Sequence, residues 1–305
     1  MRVSYHKGRR GNAHHNARTS EKALEHVDYS KTPNDLLICK VGTEFKTLLP
    51  GENHLFPQYE FKAYENIYTD GLNARNERYK KNRHEEKTKT MKQLYENPKT
   101  RPMEIILQIG KENEFDKEDV KNRKDFLKIV LDHVAWLEKT FKNVEVLSIA
   151  FHEDECSQHV HINYTVKAQD KDGYSVPNQD KGFEEMGIER PNPTKARSRF
   201  NNRLQTFTKQ EREHYIRTVQ QIRPDLNLDL EPLPKAKQKH LEKYDYQIKT
   251  KQEKLEELNN NIEKKANYLE KLLVNIGIAE RLQNQQDEIE RGRAKTRPRT
   301  YQKGR

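Results

Sequence analysis

The chain has 305 residues, 35% of them charged and 32% hydrophobic, and 58 Lys and Arg against 48 Asp and Glu give it a net charge of +10. That polarity excludes one compact core running through the whole length and points to a globular domain followed by elongated material. The positive balance points to a polyanionic partner, most simply nucleic acid.

The start, MRVSYHKGRRGNAHHNAR, is basic and lacks the apolar stretch of a secretion signal. No apolar run approaches the roughly 20 residues a spanning helix needs, so no integral membrane segment is expected. Two cysteines, Cys39 and Cys156, make no disulfide framework and suit a reducing cytoplasm.

In chain order, Asp35-Leu36-Leu37-Ile38-Cys39 is a short apolar piece, and Pro50-Gly51 marks a turn. Phe61, Tyr64, Ile67, Tyr68 and Leu72 fall at helical spacing and predict a helix over residues 60–96, strongly basic in its second half. Asn97-Pro98 and Arg101-Pro102 end it. Met103, Ile105, Leu107 and Ile109 alternate with polar residues, the pattern of a half-buried strand. Phe126, Val130, Leu137 and Phe141 then mark an amphipathic helix over residues 117–142. VEVLSIAF and HVHINYTVKA are two further strands, and the short connection EDECSQ makes them an antiparallel hairpin.

Residues 168–193, rich in Gly and Pro, read as a long irregular excursion. A basic helix-prone segment follows over 194–222, setting Phe200, Leu204 and Phe207 against Arg197, Arg199 and Arg203. The expected domain therefore spans 1–222. Residues 223–238 form a Pro-punctuated linker. Over 239–290, Leu241, Tyr244, Ile248, Leu255, Leu258 and Ile262 open a heptad register that predicts a coiled coil able to dimerise. The tail, 291–305, is basic and expected to be disordered alone.

Successive strand residues point to opposite faces. Val160, Ile162, Tyr164 and Val166 therefore share one face of their strand, and His159, His161, Asn163 and Thr165 the other. On the preceding strand Leu147, Ile149 and Phe151 oppose Ser148, Ala150 and His152. If both apolar faces meet one helical layer, His152, His159 and His161 emerge together. Three neutral imidazoles with open positions beside them are the pattern of a catalytic divalent-metal site, with Glu155 as fourth ligand, orienting partner or proton acceptor. Surface histidines on a half-exposed strand are the plainer alternative.

The spacing H-x-D-E-x-x-x-H-x-H, here His152, Asp154, Glu155, His159 and His161, resembles the metal motif of plasmid mobilisation relaxases of the Mob/Pre (MobV) family, within the HUH endonucleases. AHHNAR followed by HVDYSKTPNDLL is similar to that family's first motif, and NARNERYKKNR, the PMEIILQIG strand and the downstream basic helix fit in order, over roughly residues 1–220. Gln158 stands where the family often has proline.

The resemblance implies an α+β fold: a central antiparallel sheet with helices on one face, followed by the coiled-coil helix and basic tail. It implies a cytoplasmic enzyme that nicks one strand at a plasmid origin of transfer and leaves a covalent protein–DNA intermediate. Mn²⁺ or Mg²⁺ would be held by His152, His159 and His161. His15 would be the nucleophile, with Tyr29 as the alternative; Arg18 would bind phosphate and Glu155 orient a ligand or accept the proton. Arg75, Arg78, Lys81, Arg197, Arg199 and Arg203, with Tyr64 and Tyr68 as stacking platforms, are candidates by composition for single-stranded or hairpin DNA. A conjugative coupling protein is a possible further partner. The rivals are a rolling-circle replication initiator of the same chemistry, a non-catalytic plasmid DNA-binding regulator, and a metal-dependent small-molecule hydrolase.

Overall fold

The computed structural model describes residues 3–8, 12–19, 27, 30, 32, 35–110, 115, 119–155, 158–226 and 228, with helical pieces between 255 and 291. The chain divides into two units, Met1–Leu230 and Glu231–Arg305. Most of the linker, coiled-coil and tail expectations lie outside the described residues. Within the second unit, residues 258–265 and 283–289 are helical, and the heptad residues Leu258 and Ile262 are exposed in the single chain.

The first unit is α+β and antiparallel throughout. Its strands are β1 (Val3–Gly8), β2 (Leu36–Val41), β3 (Glu44–Thr47), β4 (Met103–Ile109), β5 (Val144–His152), β6 (His159–Gln169) and β7 (Ser175–Pro177). The sheet order is β1-β4-β6-β5-β2-β3, and β7 pairs off the end of β6. Five of the helices pack around it: α2 (Phe56–Lys81), α3 (Met91–Glu96), α4 (Val120–Thr140), α5 (Gln179–Glu185) and α6 (Arg203–Ile222). A four-residue helix, α1 (Ala13–Asn16), precedes β2.

Alternation builds one apolar face. Ile105 and Leu107 of β4, Ile149 and Phe151 of β5, and Val160, Ile162 and Tyr164 of β6 are buried in one cluster. Phe126, Val130 and Leu137 of α4 and Phe207, Tyr215 and Val219 of α6 cover it. At roughly 2 kcal/mol for each large apolar side chain removed from water, this layer dominates the stability of the unit.

The opposite face is covered too, which corrects the expectation of helices on one side. Tyr64, Tyr68 and Leu72 of α2 are buried there against Leu147. A register shift between Val146 and Ser148 makes Leu147 the extra residue of a β-bulge. It joins Ser148 on the α2 side instead of Ile149 and Phe151, because a bulge breaks strict alternation. Gly71 allows α2 to come this close: a Cβ there would stand 2.1 Å from the Ser175 carbonyl oxygen.

Other expectations shift as well. The 60–96 helix stops at Lys81, and α3 is separate, started by a capping box between Thr90 and Gln93. The excursion over 168–193 contains β7 and α5. The helix expected from residue 194 begins at Arg203, where the Asn202 side chain accepts from the Gln205 N–H. Arg223 donates to Asn122 Oδ1 at 2.6 Å, and Leu226 and Leu228 pack on the core, so the first linker residues belong to the globular unit.

Candidate metal centre

The β5–β6 hairpin sets His152 directly opposite His159, and His161 opposite Ala150. The three imidazole centroids lie 5.2 Å (His152–His159), 4.9 Å (His152–His161) and 5.0 Å (His159–His161) apart. An ion about 2.1 Å from three imidazole nitrogens holds ring centroids roughly 4.6–5.3 Å apart, so the rings are near enough to share a cation. Their ligand nitrogens do not all lie within 4.8 Å of one another, and the rings would have to turn to meet on one ion. His152 is fully buried, and neither of its ring nitrogens makes a well-formed hydrogen bond. Such a group is costly unless something occupies it.

Carboxylates stand behind two of the rings. His161 Nδ1 is 2.8 Å from Glu104 Oε1. His152 Nδ1 lies 3.4 Å from Asp35 Oδ2 and 3.6 Å from Asp154 Oδ1. Acids on Nδ1 fix the tautomer and leave Nε2 for an ion, the usual carboxylate–histidine–metal arrangement. Burial pulls His152 down, but Asp154 and Asp35 outweigh it and hold the imidazole above its ordinary range. Burial, aided by the nearby His152, lowers His161 in spite of Glu104.

A second donor set overlaps this one. Among the described residues, ligand atoms of Asp35, His152 and Asp154 all lie within 4.8 Å of one another. Arg18 argues against Asp154 as a ligand. Its Nε donates to Asp154 Oδ2 at 2.8 Å and its Nη2 to Asp154 Oδ1 at 2.6 Å, so that carboxylate is already neutralised by a cation. His152 is common to both sets: the structure gathers the donor atoms of Asp35, His152 and Asp154, while the Arg18 pairing weakens Asp154 as a ligand and leaves the three histidines as the alternative set.

The N-terminal motif docks beside them. The Asn12 side chain caps α1 by accepting from the His15 N–H. Ala13 and Ala17 pack against Leu37, Cys39, Phe56 and Ala150. Asn16 is buried and donates to Glu104 Oε1 at 3.2 Å, so one carboxylate ties α1 to His161. The His15 ring stands 6.1 Å from that of His161, and burial followed by the Arg18 charge lowers its pKa.

Arg18 ends the helix at φ +57°, an unusual conformation for a residue with a Cβ. Its Nη2 also donates to Glu155 Oε1 at 2.7 Å. The expected phosphate-binding arginine is therefore engaged by acids. Burial opposes ionisation of Glu155, but His159 and Arg18 prevail and keep its pKa low.

Several expected residues lie elsewhere. Tyr29 and Cys156 are outside the described residues. Tyr64 and Tyr68 are buried, donating to the Thr100 carbonyl oxygen and pairing with Thr165 Oγ1, so neither is a stacking platform. Arg78 pairs with Asp170 and Asp172, Arg197 with Asp180, and Arg203 with Asp180 and Glu184. Arg75 is half-buried, Lys81 is exposed and Arg199 stacks on Phe200. These six cations divide between α2 and the stretch from the α5–α6 connection to the first residue of α6. Asp35 and Glu104 were missed. Glu104 has a signal, as a polar member of the alternating β4; nothing in spacing links position 35 to position 152.

The fold and site define an α+β protein with a buried histidine and carboxylate cluster able to take a divalent cation. Comparison with family models, with curated proteins and with solved structures gave no match. No described helix is long and apolar enough to cross a membrane.

Proposed function

We propose that the chain is a divalent-metal-dependent, strand-specific DNA nickase of the plasmid mobilisation type, similar to Mob/Pre relaxases in the HUH class. The observation that carries this reading is the meeting of His15 and Arg18, from the N-terminal motif, with His152, His159 and His161 from the hairpin. A small-molecule hydrolase would leave the +10 charge without a role.

When bound, Mn²⁺ or Mg²⁺ on the three histidines would polarise a non-bridging oxygen of the scissile phosphate. Burial and Arg18 keep His15 neutral, so its lone pair is available. The imidazole nitrogen forms a bond to phosphorus as the P–O3′ bond breaks. The electron pair leaves on the 3′ oxygen, which takes up a proton from solvent water, and a phosphoramidate to the 5′ phosphate remains. An incoming phosphate displaces Glu155 from Arg18 Nη2. Glu155 is then free to accept the proton lost from His15, and Arg18 stabilises developing charge. The setting is cytoplasmic, on origin-of-transfer DNA, with the exposed heptad residues serving a homodimer seam and the tail a DNA or coupling-protein contact.

A supercoiled-plasmid relaxation assay with Mn²⁺ tests the reading. Wild type should relax origin plasmid, and His159→Ala should not. If both bind the plasmid and both leave it supercoiled, the enzyme reading fails. Mass spectrometry of the trapped adduct should find the oligonucleotide on His15; an adduct on Tyr29 replaces the nucleophile. A non-catalytic DNA-binding regulator is the second reading, favoured by the engagement of Arg18 with Asp154 and Glu155.

A further inference from the structure

The connection between α5 and α6 ends in a tight turn over residues 198–201. Ser198 and Asn201 bridge each other through backbone hydrogen bonds of 3.1 and 3.2 Å. The Asn201 amide donates to the carbonyl oxygens of Asn192 (2.9 Å), Lys195 (3.2 Å) and Ala196 (3.1 Å), and its Oδ1 accepts from the Asn192 N–H at 2.9 Å. The Asn202 amide donates to the Ser198 and Arg199 carbonyls at 3.0 and 2.9 Å. At the tip Phe200 is 68% exposed, with the Arg199 guanidinium 5.7 Å from its ring centroid.

A single exposed Phe is ordinary and by itself carries nothing. Here the tip is held in place by side chains hydrogen-bonded to its own backbone, which lowers the ordering cost of any contact made there. The nearby acids are consumed by other cations, Asp180 by Arg197 and Arg203 and Glu184 by Arg203. Arg199 forms no ion pair among the described residues, so the tip presents an aromatic face and a spare cation together. That pairing matches a base and its phosphate.

We propose that Phe200 is a stacking platform for an unpaired DNA base, with Arg199 on the adjacent phosphate. This rests on the nucleic-acid part of the functional reading and adds a contact remote from the chemistry. α5 packs on Val166 and Lys167 of β6. Those residues lie five and six positions beyond His161 on the strand, roughly 17–20 Å away at about 3.3 Å per residue, with Val166 on the sheet face that α4 and α6 cover.

Fluorescence anisotropy with the full-length protein tests it, using a labelled single-stranded oligonucleotide and a closed dumbbell duplex. Phe200→Ala should weaken single-strand binding roughly ten-fold or more, with the salt dependence unchanged, and Phe200→Tyr should restore it. Arg199→Ala should reduce the slope against salt by about one. The dumbbell should bind Phe200→Ala as it binds wild type. Unaltered single-strand affinity in Phe200→Ala overturns the proposal, and so does an equal loss on the dumbbell. The relaxation assay separates this outcome from the nicking reading. Nicking with Phe200-independent binding sinks the platform alone, whereas Phe200-dependent binding without nicking sinks the chemistry alone.

Discussion

His133 on α4 and His152 on β5 are both fully buried, yet their imidazoles are driven in opposite directions. His133 sits in the apolar layer between α4 and α6, its Nδ1 3.1 Å from His214 Nδ1 and its ring among Trp136 and Tyr215. Burial, with His214 beside it, pushes it down to about 3. His152 loses as much solvent but faces Asp35 and Asp154, which overcome burial. Burial alone thus makes a histidine a permanently neutral packing group; burial against carboxylates makes it a poised ligand. The two faces of one sheet differ in kind: one is held by apolar area alone, while the other mixes smaller apolar clusters with paired polar groups.

The largest effect should come from the apolar face. Ile162→Ala removes a fully buried residue of the central strand and should cost about 4 kcal/mol in urea melts. A loss below about 1 kcal/mol would mean that this face is not the main source of stability. On the polar face, Asp154→Ala strips Arg18 of two hydrogen bonds. It should cost about 3 kcal/mol, read as faster amide exchange over residues 12–19.

Next, Mn²⁺ at a hundred times its dissociation constant should raise wild-type stability by about 2.7 kcal/mol. His159→Ala should abolish that shift and Asp35→Asn should leave most of it. The reverse result would assign the ion to Asp35, His152 and Asp154. Acid sensitivity should follow from His133. Its folded pKa lies below the unfolded value near 6.5, so its contribution is complete above that pH. The contribution is lost as pH falls toward 3, at about 1.4 kcal/mol per pH unit. His133→Phe should flatten that slope.

The smallest effect belongs to Glu60, buried among Ser148, Tyr95 and Asn163, where burial outweighs the hydrogen bonds and raises its pKa. Its contribution is full below the unfolded value near 4.3 and declines as pH rises through the folded one. Glu60→Gln should therefore match wild type at pH 4 and exceed it by about 1 kcal/mol at pH 8.

Much of this was legible in the residues. The periodicity of Phe126, Val130 and Leu137 marked α4, and alternation in HVHINYTV put His159 and His161 on one face because side-chain direction on a strand is a local property. Leu147 was misassigned because a bulge is a property of two strands in register. The cover on the histidine face was missed because the apolar residues of α2 are sparse and aromatic, and Tyr68 closes its hydroxyl on Thr165.

By itself the sequence determined the strands β4, β5 and β6, the amphipathic helix α4, the net charge and the facing of His159 and His161, all set by bonded geometry and spacing of a few residues. Only the tertiary structure decided that Asp35 and Glu104 stand behind His152 and His161. It also turned Arg18 onto Asp154 and Glu155 and left Phe200 outside the core. Those pairings join residues scores of positions apart, and no local periodicity encodes which distant groups share a dry, low-dielectric space.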